Sequence, residues 1–145
     1  MFCLQVSADC AGFSSIFGNQ EVQLGIDEAG RGPVLGPMVY GCCFSPVSSH
    51  EDLVSVGFAD SKKLSLEKRD ELYDVIKERK ELLGYYANVH HAEELSELML
   101  GKSRTSLNVI SHDSAIAFIR RALREGVNVH QKMQTIINGN ESKFQ

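Results

Sequence analysis

The sequence predicts a mixed α/β fold, in which helices pack against a sheet. Three short apolar runs have the composition of strands, and they lie at residues 22–26, 38–44 and 82–89. Apolar residues recur at helical spacing in two longer segments, residues 65–80 and 105–125, and residues 93–100 suggest a short acidic helix. The glycine-rich turn between the first two runs favours their antiparallel pairing.

The composition is that of an ordinary globular domain. The 145 residues are 43% hydrophobic and 23% charged, which is enough apolar material for one core. The net charge of −4 argues against a broadly basic protein that coats nucleic acid. It does not exclude a nuclease, because bound metal ions supply positive charge over an acidic site.

The sequence also bears on the cellular setting. No apolar run approaches the roughly 18 residues that cross a membrane, so we expect no membrane partner. The four cysteines form no Cys-x-x-Cys pair, which favours a reduced intracellular setting over a disulfide or zinc framework. Residues 1–20 have no clear period and no signal-peptide pattern, and we expect them to form a loosely structured leader.

The first predicted strand ends in two adjacent carboxylates, Asp27 and Glu28, directly before a glycine-rich turn. Carboxylates at a strand end can bind a hard cation such as Mg²⁺ or Mn²⁺ through oxygen. In a regular strand they face opposite sides, so a shared site requires a backbone twist, which Gly30 permits. Taken alone, two solvated carboxylates before a turn are the commoner case.

Two other patterns favour a nucleic-acid ligand, although each is weak by itself. The turn Gly30-Arg31-Gly32 lets backbone groups approach a ligand closely, but a plain hairpin is the commoner explanation of such a turn. Lys62 and Lys63 precede a helix that Ser65 is expected to cap, where charge and the helix dipole attract phosphate. A solvated, charged helix cap is the commoner alternative at such a position.

The helix predicted at residues 105–125 carries a separate set of polar residues near its start, including Asn108 and His112. A histidine there could act as a general acid or proton shuttle. We expect His112 to be a surface group, because that is the more frequent role of a histidine beside a charged helix face.

Together these motifs resemble one family, type 2 ribonuclease H. Residues 24–40, with the sequence LGIDEAGRGPVLGPMVY, resemble the opening of its catalytic domain in the form closest to the eukaryotic catalytic subunit. Residues 60–64 (DSKKL) resemble its second motif, and residues 107–113 (LNVISHD) resemble its helix motif. The resemblance covers about residues 22–131, with the motifs in the family's order.

The resemblance implies a ribonuclease H-like fold, a mixed sheet with flanking helices, here incomplete at the C-terminal end. It implies an endonuclease that hydrolyses the RNA strand of RNA–DNA hybrids on the 5′ side of a ribonucleotide. Duplex DNA with embedded ribonucleotides would be a further substrate. The non-catalytic subunits of a eukaryotic heterotrimer would be partners, and the setting would be nuclear.

The resemblance also assigns roles to residues of this chain. Asp27 and Glu28 correspond to the first two acidic ligands of a site that holds two divalent ions, Mg²⁺ or Mn²⁺. Gly30-Arg31-Gly32 corresponds to the loop whose backbone contacts the ribose 2′-hydroxyl, the group that distinguishes RNA from DNA. Lys62 would hold the substrate backbone.

The sequence departs from the family pattern after residue 131. The family supplies a third carboxylate on the strand after residues 126–129 and a fourth further on, whereas no aspartate follows Asp113 here. By register, Thr135 occupies about the position of the third aspartate. We therefore interpret residues 21–131 as a partial type 2 ribonuclease H domain. Residues 132–145 would be a non-family tail of a truncated, alternatively spliced or mis-assembled product.

This departure leaves two hypotheses about activity. One is a metal-dependent endoribonuclease of the type 2 ribonuclease H family, in which this chain has lost activity with the later carboxylates. The alternative is a catalytically dead fragment that acts only in nucleic-acid or partner binding.

Overall fold

A mixed β-sheet is the centre of the fold. The computed structural model describes residues 13–32, 36–137 and 140–143, and the sheet within them has five strands. The strands are β1 (Val22–Ala29), β2 (Met38–Pro46), β3 (Gly84–His90), β4 (Val129–Ile137) and β5 (Asn140–Lys143). Their order is β3-β2-β1-β4-β5. The strand β1 lies in the middle and pairs antiparallel with β2 and parallel with β4.

Five α-helices accompany the sheet within the same residues. They are α1 (Phe13–Phe17), α2 (His50–Val56), α3 (Leu66–Glu78), α4 (Ala92–Leu100) and α5 (Leu107–Arg124). The hydroxyls of Ser65 and Ser106 cap α3 and α5 by accepting hydrogen bonds from backbone amides in the first turn. The mixed α/β fold predicted from the sequence is confirmed. No helix in the described part of the chain is long and apolar enough to cross a membrane.

The main core lies between the sheet and α5. The residues of β1 that face it are Val22, Leu24 and Ile26. The helix contributes Ile110, Phe118 and Ala122 to the same cluster. Because side chains alternate along a strand, the intervening residues of β1 point to the other face of the sheet. Gly25 and Asp27 are accordingly exposed there.

The segment at residues 13–17 differs from the loosely structured leader expected from the sequence. It forms α1, in which Phe13 and Phe17 are only 4% and 2% exposed. The Phe13 ring meets Phe44 edge-on at a centroid distance of 4.7 Å. Two phenylalanines four residues apart share one helix face, so even a short helix can be anchored by them. Residues 1–12 lie outside the described residues.

Two other segments also differ from the expectation. The serine, proline and acidic residues of the segment 45–60 predict a loop, but the segment includes α2 and a short 3-10 turn at Val47–Ser49. The expected tail from residue 132 continues β4 as far as Ile137, and Thr135 pairs with Ile26 of β1. Strand pairing uses backbone groups that every non-proline residue carries, so a polar segment without a period can still join a sheet.

Candidate active site

The candidate carboxylates Asp27 and Glu28 lie at the carboxyl end of β1. Pairing with β2 is regular there, since Asp27 lies opposite Gly41 and Glu28 lies opposite Tyr40. Asp27 is exposed on the face away from α5, and the Glu28 side chain is 12% exposed. The pairing continues through Ala29, so the turn at Gly30 lies beyond both carboxylates and does not rotate their side chains to one face of the sheet.

Asp27 shares an open cavity with the second sequence motif. The cavity has a volume of about 750 Å³, and Asp27, Ser61, Tyr73 and Tyr85 are among the residues that line it. Ser61 begins the 3-10 turn Ser61–Lys63, and the Asp60 carboxylate caps that turn by accepting from the Lys62 amide at 3.0 Å. The motif that contains Lys62 therefore reaches the cavity that Asp27 lines.

Glu28 lies instead beside Arg31. Its Oε1 is 3.8 Å from Nη1 of Arg31, and the Arg31 side chain is 21% exposed. The second guanidinium nitrogen, Nη2, donates a hydrogen bond of 2.7 Å to Oδ1 of Asn108 in the first turn of α5. The first motif and the helix motif, which are distant in sequence, therefore meet through Arg31.

The loop Gly30-Arg31-Gly32 depends on its glycines for two different reasons. Gly30 has a φ of 80°, and a Cβ there would lie 2.5 Å from the carbonyl oxygen of Pro37. Gly32 has a φ of 114°, but a Cβ there would meet nothing within 4 Å. The loop also borders an open groove of about 420 Å³ along α4. Its backbone at Gly32 is therefore open to a ligand, while residues 33–35 of the motif lie outside the described residues.

The donor set at the end of β1 suits a hard divalent cation. Mg²⁺ commonly binds through one or two carboxylates and completes its coordination with water and substrate phosphate. Asp27 and Glu28 supply oxygen ligands of this kind, although the sheet separates their faces. No group of three histidine, cysteine, aspartate or glutamate residues that could hold a metal occurs among the residues described.

A buried polar cluster lies at the end of β3. In the sequence, the pair His90-His91 lacks acidic or cysteine partners at metal spacing and predicts only a strand-exit loop. His90 is buried, with Nε2 at 3.0 Å from Nδ2 of Asn88 and 3.2 Å from Oγ of Ser114 on α5. An amide nitrogen can only donate, so Nε2 accepts and the ring proton is assigned to Nδ1. That nitrogen lies 3.4 Å from Oε2 of Glu94. The alternation of β3 could have revealed this cluster, because Asn88 and His90 fall on one face.

This cluster ties α5 to the sheet and so helps to fix the position of Asn108. His112 is exposed, in agreement with the surface role expected for it.

Comparison with known sequences identifies the family. A family model described as Ribonuclease HII matches residues 24–143. The chain belongs to the ribonuclease HII family. It is 53% identical over 118 residues to a ribonuclease H2 subunit from Dictyostelium discoideum and 54% identical over 109 residues to the corresponding protein from Arabidopsis thaliana. The matches cover 81% and 75% of this chain but only 41% and 36% of those relatives.

A solved structure supports the same assignment of fold. Ribonuclease H2 from Pyrococcus horikoshii OT3 superposes with a TM-score of 0.56 and 30% sequence identity. The superposition covers 66% of this ribonuclease HII chain and 42% of the Pyrococcus chain. The ribonuclease H-like fold implied by the sequence motifs is therefore confirmed. The family match also extends to residue 143, past the point where the motif resemblance ended.

Proposed function

We propose that this chain carries the first part of the active site of an endonuclease that cuts the RNA strand of RNA–DNA hybrids. Cleavage would occur on the 5′ side of a ribonucleotide, including one embedded in duplex DNA. The main supporting observation is the position of Asp27 and Glu28 in a ribonuclease HII fold. They lie among the last three residues of the middle strand of the sheet, and only Ala29 separates them from the loop Gly30-Arg31-Gly32.

The surroundings of this strand end are consistent with a nucleic-acid ligand. Backbone groups around Gly32 face open space and could approach a ribose 2′-hydroxyl. Lys62 directly follows Ser61, which lines the same cavity as Asp27, so we assign Lys62 a contact to the phosphate backbone. The contact at Gly32 would distinguish ribose from deoxyribose, and the contact of Lys62 would hold the strand near the carboxylates.

We also propose that Asp27 and Glu28 bind Mg²⁺ or Mn²⁺. Bound divalent ions would supply electrostatic stabilisation for hydrolysis of the phosphodiester. Asp27 is suited to this role because it is exposed, and because the Glu28 amide orients its carboxylate by donating to Oδ1 at 2.9 Å. Glu28 already lies near the Arg31 cation, so a metal ion would share or replace that partner.

A second candidate function is binding without cleavage. Thr135 has no carboxylate, yet it is the β4 partner of Ile26, the residue before Asp27. Loss of one positioned electrostatic group typically costs about 10²–10³-fold in rate. A chain with threonine at this position would then bind hybrids, or the other subunits of a nuclear heterotrimer, without cutting. The relatives are each named as one subunit of ribonuclease H2, which supports the proposal of such partners.

The proposed substrate class can be tested by binding and by cleavage. The chain should bind an RNA–DNA hybrid, or a duplex with one ribonucleotide, more tightly than an all-DNA duplex of the same sequence. Any Mg²⁺-dependent cleavage should occur on the 5′ side of a ribonucleotide, as resolved on a sequencing gel. Equal affinity for all three duplexes, or cleavage within the all-DNA duplex, would contradict the proposal.

A further inference from the structure

Three large apolar side chains form a line along the outer face of α5. Val109, Ile116 and Leu123 are 46%, 44% and 57% exposed, respectively. They are seven positions apart, and residues with this spacing differ in direction by only about 20° on a helix. Ser114 and Phe118 are each two residues from Ile116, on the opposite side of the helix, and both are buried. The line, which we call the outer stripe, therefore faces away from the core.

The regular spacing distinguishes the outer stripe from ordinary exposed apolar residues. Single apolar side chains on a protein surface are common and need no explanation. A row of them along one face of a helix is the pattern by which one helix packs against another. The outer stripe runs along α5 for most of its 18 residues, a length of about 27 Å. Its shape and chemistry match a second helix with an apolar face.

The outer stripe is symmetric about its midpoint, Ile116. Val109 lies seven residues before this midpoint and Leu123 lies seven residues after it. In a dimer with a two-fold axis, each copy presents the same patch to the other. If two α5 helices pack antiparallel with the axis at Ile116, this residue meets its own copy, and Val109 of each chain meets Leu123 of the other.

The charges beside the outer stripe match the same arrangement. Asp113 and Arg120 are exposed and seven positions apart, so they lie along the same side of the stripe. Neither side chain has a hydrogen bond or an ion pair to any residue that the structure describes. Asp113 lies three residues before Ile116 and Arg120 lies four after it. The antiparallel arrangement therefore brings Asp113 of each copy beside Arg120 of the other.

We propose that the outer stripe is the interface of a homodimer, in which two copies of the chain pack α5 against α5 in antiparallel orientation. One helix from each copy makes a small contact, and interfaces below about 1,200 Å² are typical of weak complexes. We therefore expect a dimer that dissociates at micromolar concentrations. Asp27 is exposed on the face of the sheet away from α5, so dimerisation leaves it accessible. The proposal does not depend on the proposed function.

The first test is sedimentation velocity of the 145-residue chain from low to high micromolar concentration. The average mass should rise from that of a monomer towards that of a dimer. Ile116→Glu should raise the dissociation constant at least about tenfold, because two like charges would meet at the axis. Val54→Glu is the matched control, since Val54 is a similar apolar residue, 58% exposed, on α2. It should leave the dissociation constant unchanged.

Both variants should keep the fold, because each residue is exposed and glutamate is a good helix former. Thermal unfolding followed by circular dichroism checks this at a concentration at which the wild type is monomeric. A monomer at every concentration would overturn the proposal. The outer stripe would then be left to a different partner, such as another subunit. Equal weakening by Ile116→Glu and Val54→Glu would also overturn it, because the association would then be non-specific.

The second test exchanges the two charges to establish the antiparallel orientation. Asp113→Arg and Arg120→Asp should each weaken the dimer, since either change places like charges next to each other across the interface. The double variant Asp113→Arg/Arg120→Asp restores opposite charges and should recover the wild-type dissociation constant. Failure of the double variant to recover would overturn the antiparallel dimer.

Discussion

Ile26 of β1 and Thr135 of β4 are partners in the parallel register of the sheet. The residue after Ile26 is the candidate ligand Asp27, so position 135 lies on the strand adjacent to the proposed cation site. This relationship makes position 135 a direct test of how many carboxylates the site requires.

Thr135→Asp should increase the affinity of the chain for Mn²⁺. One more carboxylate near a divalent ion contributes more than about 1.4 kcal/mol at an effective dielectric constant near 20, which corresponds to at least tenfold tighter binding. Mn²⁺ binding can be followed by electron paramagnetic resonance of the free ion. Thr135→Asn is the matched control, because it adds a similar shape without charge. Equal affinity in the two variants would argue against a role of position 135 in the site.

Asp27→Asn should weaken Mn²⁺ binding in the same assay. Asparagine keeps the shape of the side chain but removes the charge that a hard cation prefers. Asp113→Asn is a suitable control, since Asp113 is exposed on α5 and has no proposed role in the site. If both substitutions change the Mn²⁺ affinity equally, the effect comes from net charge and Asp27 is not a ligand.

The chain should cleave an RNA–DNA hybrid at least about 100-fold more slowly than a chimera that supplies the later carboxylates. In the chimera, the segment after residue 131 is replaced by the corresponding C-terminal part of the Dictyostelium relative. Initial rates with Mg²⁺ would be compared at equal protein concentration. Asp27→Asn in the chimera provides the control for contaminating nuclease, because it should abolish cleavage. Similar rates for chain and chimera would contradict the hypothesis that Thr135 limits activity.

Lys62→Ala should weaken hybrid binding and reduce its salt dependence. Loss of one phosphate contact lowers the slope of log affinity against log salt by about one. Fluorescence anisotropy at several salt concentrations measures this slope. Lys102→Ala removes an exposed positive charge elsewhere and should have a smaller effect. An unchanged slope in Lys62→Ala would exclude a phosphate contact.

Gly30→Ala should lower the free energy of unfolding by at least about 1–3 kcal/mol. A positive φ alone is strained for alanine by roughly this amount, and a Cβ would also lie 2.5 Å from the Pro37 carbonyl oxygen. Gly32→Ala has the strained φ without the close contact, so its loss should be smaller. Urea denaturation of both variants measures the difference. Equal losses would show that the close contact at Gly30 relaxes without cost.

The elements that the sequence predicted are those with a strong local pattern. The alternation of β1 and the helical spacing of α5 each appear within a few residues, and both elements are present in the structure. The helix α3 was predicted as well, but Leu66 and Tyr73, two of the apolar residues on which its helical spacing depends, are 63% and 53% exposed. Local spacing indicates a helix without showing which face the rest of the chain will cover.

The contacts around the candidate site were harder to predict. The bond between Arg31 and Asn108 joins two polar residues whose separation in the chain follows no period. The division of Asp27 and Glu28 between two faces depends on how far the pairing with β2 continues past the carboxylates. The motifs identified the residues of the site, but their partners are determined by tertiary packing.

The position of α1 has a practical consequence for laboratory work on this protein. An expression boundary taken from the family match would begin at residue 24 and would discard Phe13 and Phe17. Their rings lie 6.3 Å from Tyr86 and 6.0 Å from Phe44, respectively. A product that begins at residue 24 would therefore expose the rings of Phe44 and Tyr86 that α1 contacts. Exposed apolar surfaces of this kind promote association between molecules. A protein expressed from residue 24 would then tend to aggregate, for reasons unrelated to its active site.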